Sequence, residues 1–202
     1  MTKKGLIWTV VAWIILTIVN YYFIPYFFLA LIWFGLSFIL LIVALFQLGK
    51  LLYEIKRLTE FRVLKFLTFA TLFLLTFFHT TTSNVIEKID WFLLENRRTE
   101  IINLVKNDQL NLNVKANGWV YELPYKFPVV SNGGNEIGIV RNQETNDITV
   151  TFWVFRNYFD SPSIHFIYTD NPEAINIYEK RIINKPENNW KIKKNWYRIY
   201  DE

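Results

Sequence analysis

The stretch YFDSPSIHF, residues 158–166, contains the residue types of a nucleophilic active site. Four such side chains fall within six positions: Asp160, Ser161, Ser163 and His165. Ser163 and His165 are two apart on a predicted strand, which places their Cβ atoms about 6.5–7 Å apart on one face. A nucleophile and its base need heavy atoms within about 2.6–3.2 Å. Because Asp, Ser and Pro also favour turns, the stretch predicts a hairpin between two strands in preference to a Ser/His site.

Metal and phosphate chemistry have little support in the sequence. The chain has no cysteine and two histidines, so a zinc site would need carboxylates for most of its ligands. The loop RNQETND, residues 141–147, lacks the glycine and the terminal glutamate of a calcium loop. The glycines of SNGGNEIG, residues 131–138, lead into a predicted strand, whereas phosphate-binding glycines precede a helix. We therefore expect no cofactor and no metal.

The elements that position these residues begin with a long uncharged run. Residues 5–48 contain no Asp, Glu, Lys, Arg or His, and about 20 apolar residues cross the hydrocarbon core of a bilayer. The proline-containing break NYYFIP predicts two helices, over 5–23 and 26–48. A third apolar run predicts another over 63–82, which continues, straight or with a kink, into a further helix that ends near residues 106–108. A secretory signal peptide is the alternative for the first helix, but no small-residue cleavage site follows it.

Basic residues predict the orientation of these helices. The loop at 49–62 and the start of the third helix carry a cluster of them: Lys50, Lys56, Arg57, Arg62 and Lys65. The first loop has none. Because basic loops stay in the cytoplasm, we expect a multi-pass plasma-membrane protein with a cytoplasmic amino terminus and everything after residue 83 outside. The same cluster is the candidate contact with anionic lipid of the bilayer.

Charge distribution argues against nucleic acid as a partner. Residues 1–83 carry seven basic and two acidic side chains, whereas residues 84–202 carry 15 basic and 16 acidic ones. The basic excess therefore belongs to membrane topology, and nucleic-acid binding needs a basic face on a folded domain. Ionisable residues that mark transport pathways occur only at the edges of the predicted spans, as Lys65 and His79, so a self-contained pump is not predicted.

The remainder, residues 83–202, predicts a small extracytoplasmic α+β domain. Leu94, Ile101 and Val105 form an apolar stripe on an amino-terminal helix. Runs rich in β-branched and aromatic residues then predict a mainly antiparallel sheet with strands over 110–115, 119–123, 136–141, 147–156 and 164–169. Residues 173–183 fit a helix or a strand, and residues 189–200 fit one strand or two with a bulge. The complete fold class is an α+β membrane protein with three transmembrane helices in residues 1–82.

Aromatic residues supply the candidate contact surface of the outer domain. Alternation in the long strand places Val150 and Phe152 on a core face and Trp153 and Phe155 on the other. With neighbouring aromatics and the histidine, the candidate surface is Trp153, Phe155, His165, Trp190, Trp196 and Tyr197. Packing in a second core beneath a helix, or contact with the membrane, would also account for these side chains.

Three functions fit these observations. The first is a non-enzymatic extracytoplasmic domain that binds a protein, an envelope polymer or a ligand. The second is an accessory or immunity-type membrane subunit that acts through its spanning helices. The third is a hydrolase of an envelope substrate, which would depend on His165.

Overall fold

The structure, a computed structural model, describes residues 1–23, 27–110, 118–155 and 163–201, without the side chains of residues 27–30. The chain divides into two compact units, Met1–Ile89 and Asp90–Glu202. We call them the helical unit and the sheet unit. Helices followed by an antiparallel β-sheet make the chain an α+β protein.

The helical unit is built from long apolar helices. They are α1 (Lys3–Phe23), α2 (Phe27–Tyr53), a short 3₁₀ turn (Ile55–Arg57), α3 (Glu60–Phe77) and the first part of α4 (His79–Lys106). Leu6 of α1, Leu40 and Ala44 of α2, and Phe69 and Leu72 of α3 form its buried core. Side chains from three helices therefore meet in one cluster.

Two of these helices are long and apolar enough to cross a membrane: α1, and α2 from Leu31 to Tyr53. The pair α3 and α4 is a third candidate if it counts as one span, and it is bent by 82°. Of the two predicted forms of the third helix, straight or kinked, the structure has the kinked one, because the chain leaves helical geometry at Phe78 (φ −88°, ψ 51°). The Thr82 hydroxyl donates to the Leu75 carbonyl oxygen at 2.9 Å, which satisfies a carbonyl near the break.

The predicted connector at 49–62 is largely helical. Helix α2 continues to Tyr53, the 3₁₀ turn follows, and α3 begins at Glu60. The run LLYEIKRL has few helix breakers, so propensity extends α2 past the end of the apolar run. An ion pair between Arg62 and Glu54 joins the two sides of this short connection.

The sheet unit contains six strands that are antiparallel throughout the described residues. They are β1 (Val120–Glu122), β2 (Glu136–Arg141), β3 (Ile148–Phe155), β4 (Ser163–Thr169), β5 (Trp190–Lys193) and β6 (Trp196–Asp201), in the order β1-β2-β3-β4-β6-β5. Four predicted strands are confirmed in place. The predicted strand over 110–115 lies almost wholly outside the described residues.

Helices pack on both faces of this sheet. On one face, Trp91 of α4 contacts Phe166 and Trp196 with ring centroids 4.9 and 5.0 Å apart. On the other, α5 (Pro172–Asn184) packs its apolar side against Ile167, Tyr197 and Ile199. Residues 173–183 are thus helical, and the Asn171 side chain caps the helix by accepting from the backbone amides of Glu173 and Ala174.

A bulge changes the alternation of β3. Trp153 pairs with His165, but Phe155 pairs with Ile164, so Val154 is an extra residue. Phe155 therefore lies on the opposite face from Trp153, and the prediction that both share a face is wrong. The closing segment forms two strands, β5 and β6, joined by a turn in which Asn195 has φ 64°.

Candidate functional site

The hypothesised Ser/His site is only partly visible. Asp160 and Ser161 lie outside the described residues. Ser163 lies on β4 directly opposite Asp201 of β6, and His165 Nε2 lies 3.3 Å from Asp201 Oδ2. Within the described part of the chain, no hydrogen bond joins Ser163 to His165. Ser163, His165 and Asp201 lie on one face of the sheet, but Ser163 lacks the hydrogen bond to His165 that would activate it as a nucleophile.

The charged cluster around Asp201 holds α5 against β6. The Asp201 carboxylate accepts from Arg181 of α5 and faces His165, which is 7% exposed. A hydrogen bond from His165 lowers the pKa of Asp201, burial opposes that shift, and the Arg181 bond lowers the pKa further. The cluster therefore keeps the Asp201 carboxylate charged between Arg181 of α5 and His165 of β4. These contacts stabilise the packing of α5 on the sheet.

Most of the predicted contact surface lies in the core. Trp153, His165, Trp196 and Tyr197 are buried, whereas Phe155 and Trp190 are partly exposed. Trp196 packs among Trp91, Phe152 and Tyr168 with centroids 5.0, 5.8 and 5.5 Å away. Tyr197 packs against Tyr178 of α5 at 5.6 Å. Trp196 and Tyr197 therefore fill the two layers between the sheet and its helices.

An aromatic that sequence reasoning missed is more accessible. The Trp119 side chain is 43% exposed and its ring lies 5.7 Å from that of Trp153. A Cβ at Gly138 would lie 2.4 Å from Trp119 Cζ3, so only glycine leaves room for the ring. Glycine inside a strand is the sequence signal that could have indicated such a close approach.

Trp119 belongs to a part of the sheet away from α5. Val140 is 57% exposed and pairs with Thr149, while Thr151 pairs with Gly138. The packing of α5 is on Ile167, Tyr197 and Ile199, which belong to the other half of the sheet. We call Trp119, Val140, Thr149, Thr151 and Trp153 the Trp119 face.

The predicted topology and lipid-contact residues fall into three groups. Lys50 and Lys65 lie over the rings of Phe46 and Phe61, at 4.4 and 4.7 Å. Lys56 and Arg57 are exposed in the 3₁₀ turn, and Arg62 pairs with Glu54. Two of the basic side chains are therefore exposed, two lie along aromatic surface as amphipathic side chains do, and one is held in an ion pair.

A groove of about 430 Å³ opens in the helical unit. Its walls are apolar apart from a few side chains, which include Asn20, Trp33, Ser37, Thr76 and His79. Asn20 is 7% exposed, and its Oδ1 has no hydrogen-bond partner; the buried Nε1 of Trp33 has none either. No local sequence pattern indicates this groove, because it depends on how α1, α2 and α3 pack.

The described residues hold no group of three or more His, Cys, Asp and Glu side chains placed to bind a metal ion. Comparisons with protein-family models, curated proteins and solved structures gave no match. A function for this protein must therefore be inferred from its own geometry.

Proposed function

We propose that this protein is a multi-pass plasma-membrane protein whose extracytoplasmic α+β domain binds a protein or an envelope polymer and catalyses no reaction. The pair α3 and α4 supplies the third span, the amino terminus is cytoplasmic, and the domain lies outside. The basic cluster between α2 and α3 supports this orientation.

The Trp119 face is the observation that carries the binding role. Trp119 combines substantial exposure with a fixed position between Gly138 and Trp153. A rigid, partly exposed aromatic that loses little side-chain entropy on binding is the typical anchor of an interface. The open half of the sheet face around it supplies a platform of small and β-branched residues.

Site-specific photocrosslinking in cells tests this role. A benzoylphenylalanine at position 119 of the full chain is expected to give a discrete adduct with an envelope component. The matched control places it at Ile183 of α5, which is 78% exposed and lies outside the Trp119 face. Equal adduct patterns at the two positions, or none at 119, would contradict the proposal.

Reporter fusions test the orientation separately. A reporter that is active only in the cytoplasm, fused after residue 202, is expected to be inactive, while the same reporter in the 3₁₀ turn is expected to be active. Activity after residue 202 would refute the extracytoplasmic placement without affecting the crosslinking result.

A second candidate is the accessory or immunity-type subunit that acts through its helices. The groove in the helical unit favours it, since concave and mostly apolar surfaces are where binding sites commonly lie. Co-purification of a second membrane protein with the wild-type chain, abolished by substitutions in the groove and unaffected by Trp119→Ala, would select this candidate.

A further inference from the structure

Helix α4 exposes a stripe of large apolar side chains in the turns that follow α3. The stripe consists of Val85, Ile89, Phe92 and Leu93, which are between 52% and 80% exposed. With 3.6 residues per turn, these four positions fall within an arc of about 100° on one side of the helix. Single exposed apolar residues are common on protein surfaces, whereas a contiguous set of this kind marks a contact with a membrane or a partner. We call these four residues the α4 stripe.

The charged side chains in the same turns are arranged in the opposite way to those of a helix on a water-soluble domain. Both acidic side chains of residues 79–93, Glu87 and Asp90, are buried, at 5% and 3% exposure. Lys88 lies three residues after Val85 and four before Phe92, so it borders the α4 stripe. Among residues 79–93, all of which the structure describes, Lys88 is the only exposed Asp, Glu, Lys or Arg. The exposed side of these turns is therefore apolar and positively charged, which complements an anionic lipid surface.

The α4 stripe is confined to the part of the helix nearest α3. Further along the same side of the helix, the exposed positions are Asn96, Glu100 and Asn103, and all three are polar. These later turns have the composition of a face in contact with water. Within one helix, the apolar face is therefore found only in the turns that directly follow α3.

The length of α3 and its angle to α4 indicate what covers the α4 stripe. Helix α3 has 18 residues and is about 27 Å long, close to the hydrocarbon thickness of about 30 Å. Helix α4 leaves the end of α3 at 82°, after the polar run HTTTS at 79–83. A helix that follows a span at nearly a right angle runs along the surface of the bilayer. The turns nearest the span are the ones that meet lipid first.

We propose that the first turns of α4 form an interfacial helix on the outer surface of the membrane. The α4 stripe lies about 5–10 Å into the boundary between headgroups and acyl chains. The stem of Lys88 runs along this apolar surface and places its ammonium group at the lipid phosphates. The inference rests on the proposed function, in which α3 and α4 supply the third span, and it assigns the crossing to α3.

Single cysteines can report the surroundings of α4, because the chain has no cysteine of its own. The full chain, with the fluorophore NBD on Phe92→Cys, is reconstituted in vesicles of phosphatidylcholine and phosphatidylglycerol and quenched by nitroxide lipids or by iodide. The matched control is Asn103→Cys, which is exposed on the same side of α4 about three turns further on. NBD at position 92 should be quenched several-fold more by nitroxide lipid, and several-fold less by iodide, than NBD at position 103.

A third label separates this inference from the membrane placement itself. Ile39 is 60% exposed in the middle of α2, so NBD on Ile39→Cys should be quenched by nitroxide lipid if α2 crosses the bilayer. Quenching at position 39 without quenching at 92 would overturn the inference and leave the membrane placement standing. No quenching at either position would overturn both. Protection of position 92 from iodide without quenching by nitroxide lipid would also overturn the inference, in favour of contact with a second copy of the chain.

Charge reversal tests the contact with anionic lipid. Lys88→Glu places an acid beside the α4 stripe, so quenching of NBD at position 92 by nitroxide lipid should fall in vesicles with phosphatidylglycerol and change little in phosphatidylcholine alone. Lys180→Glu makes the same change of charge at an exposed position of α5 and should have no effect. Equal effects of the two substitutions, or no effect of Lys88→Glu, would overturn the proposed contact of Lys88 with lipid phosphates.

Discussion

Arg98 Nη2 donates to Asp90 Oδ2 at 2.5 Å, and both side chains are 2% exposed. The same guanidinium donates from Nε to the Val130 carbonyl oxygen at 3.0 Å and lies 4.9 Å over the ring of Phe166. One arginine therefore joins helix α4 to the loop before β2 and to the sheet. This ion pair is the polar centre of an otherwise aromatic layer.

Removing the Asp90 carboxylate should lower the free energy of unfolding of the sheet unit. Asp90→Asn leaves the Arg98 charge buried without its counter-ion, which costs about 3–5 kcal/mol. Denaturant unfolding followed by tryptophan fluorescence of the full chain measures the loss. Arg97→Ala removes an exposed pair with Glu100 and should change stability by less than about 1 kcal/mol. Equal losses of stability in the two variants would show that the buried ion pair contributes no more than the exposed one.

Asp201 should make stability fall in acid. Its pKa is lowered in the folded state by the His165 and Arg181 hydrogen bonds, so its contribution is present above the ordinary value of 3.8 and lost as the pH falls through the lowered pKa. Asp201→Asn should be less stable at neutral pH and should lose less stability below about pH 4. Acid unfolding curves measure this, with Asp108→Asn, at a largely exposed carboxylate, as the control. Parallel curves for wild type and Asp201→Asn would contradict the assignment.

Gly138→Ala should displace Trp119 without removing it. The new methyl group would meet the indole, so the ring must leave its position beside Trp153. Crosslinking from a position near Trp119 should then weaken, and acrylamide quenching of tryptophan fluorescence should increase. Gly118→Ala is the matched control, because its Cβ meets no atom within 4 Å. If Gly138→Ala has the same quenching as the wild type, the Trp119 ring is not held beside Gly138 and Trp153.

Thr76→Val should loosen the packing of α1 on α3. Trp13 Nε1 donates to Thr76 Oγ1 at 2.8 Å, and the Thr76 hydroxyl donates to the Leu72 carbonyl oxygen at 2.7 Å. Interhelical hydrogen bonds in membranes contribute about 0.6 kcal/mol on average, so the loss should be of that order. Unfolding in sodium dodecyl sulphate measures it. Thr68→Val should have a smaller effect, since Thr68 donates within its own helix to Leu64.

Local patterns predicted those elements whose ends are set by local chemistry. The turn before β2 contains Gly133 and Gly134 at φ 84° and 119°, and the strand predicted over 136–141 matches β2. Asn171 and Pro172 supplied a helix-start signal for α5, but residues 173–183 also fitted a strand, so the pattern left the two open. At the turn before β2, a few adjacent residues determine the backbone.

Features that depend on distant partners were not predicted. The bulge at Val154 exists only in the pairing of β3 with β4, and the groove depends on three helices. The buried ion pair did leave a signal. Arg98 lies within the stripe of Leu94, Ile101 and Val105 at helical spacing, and a charge inside an apolar stripe indicates a buried partner.

The strand order β4-β6-β5 determines when the sheet can be completed. Strand β6, residues 196–201, fills an interior position, so β4 keeps an open hydrogen-bonding edge until those residues have been made. The two helices that are long and apolar enough to cross a membrane are therefore complete long before the sheet can close.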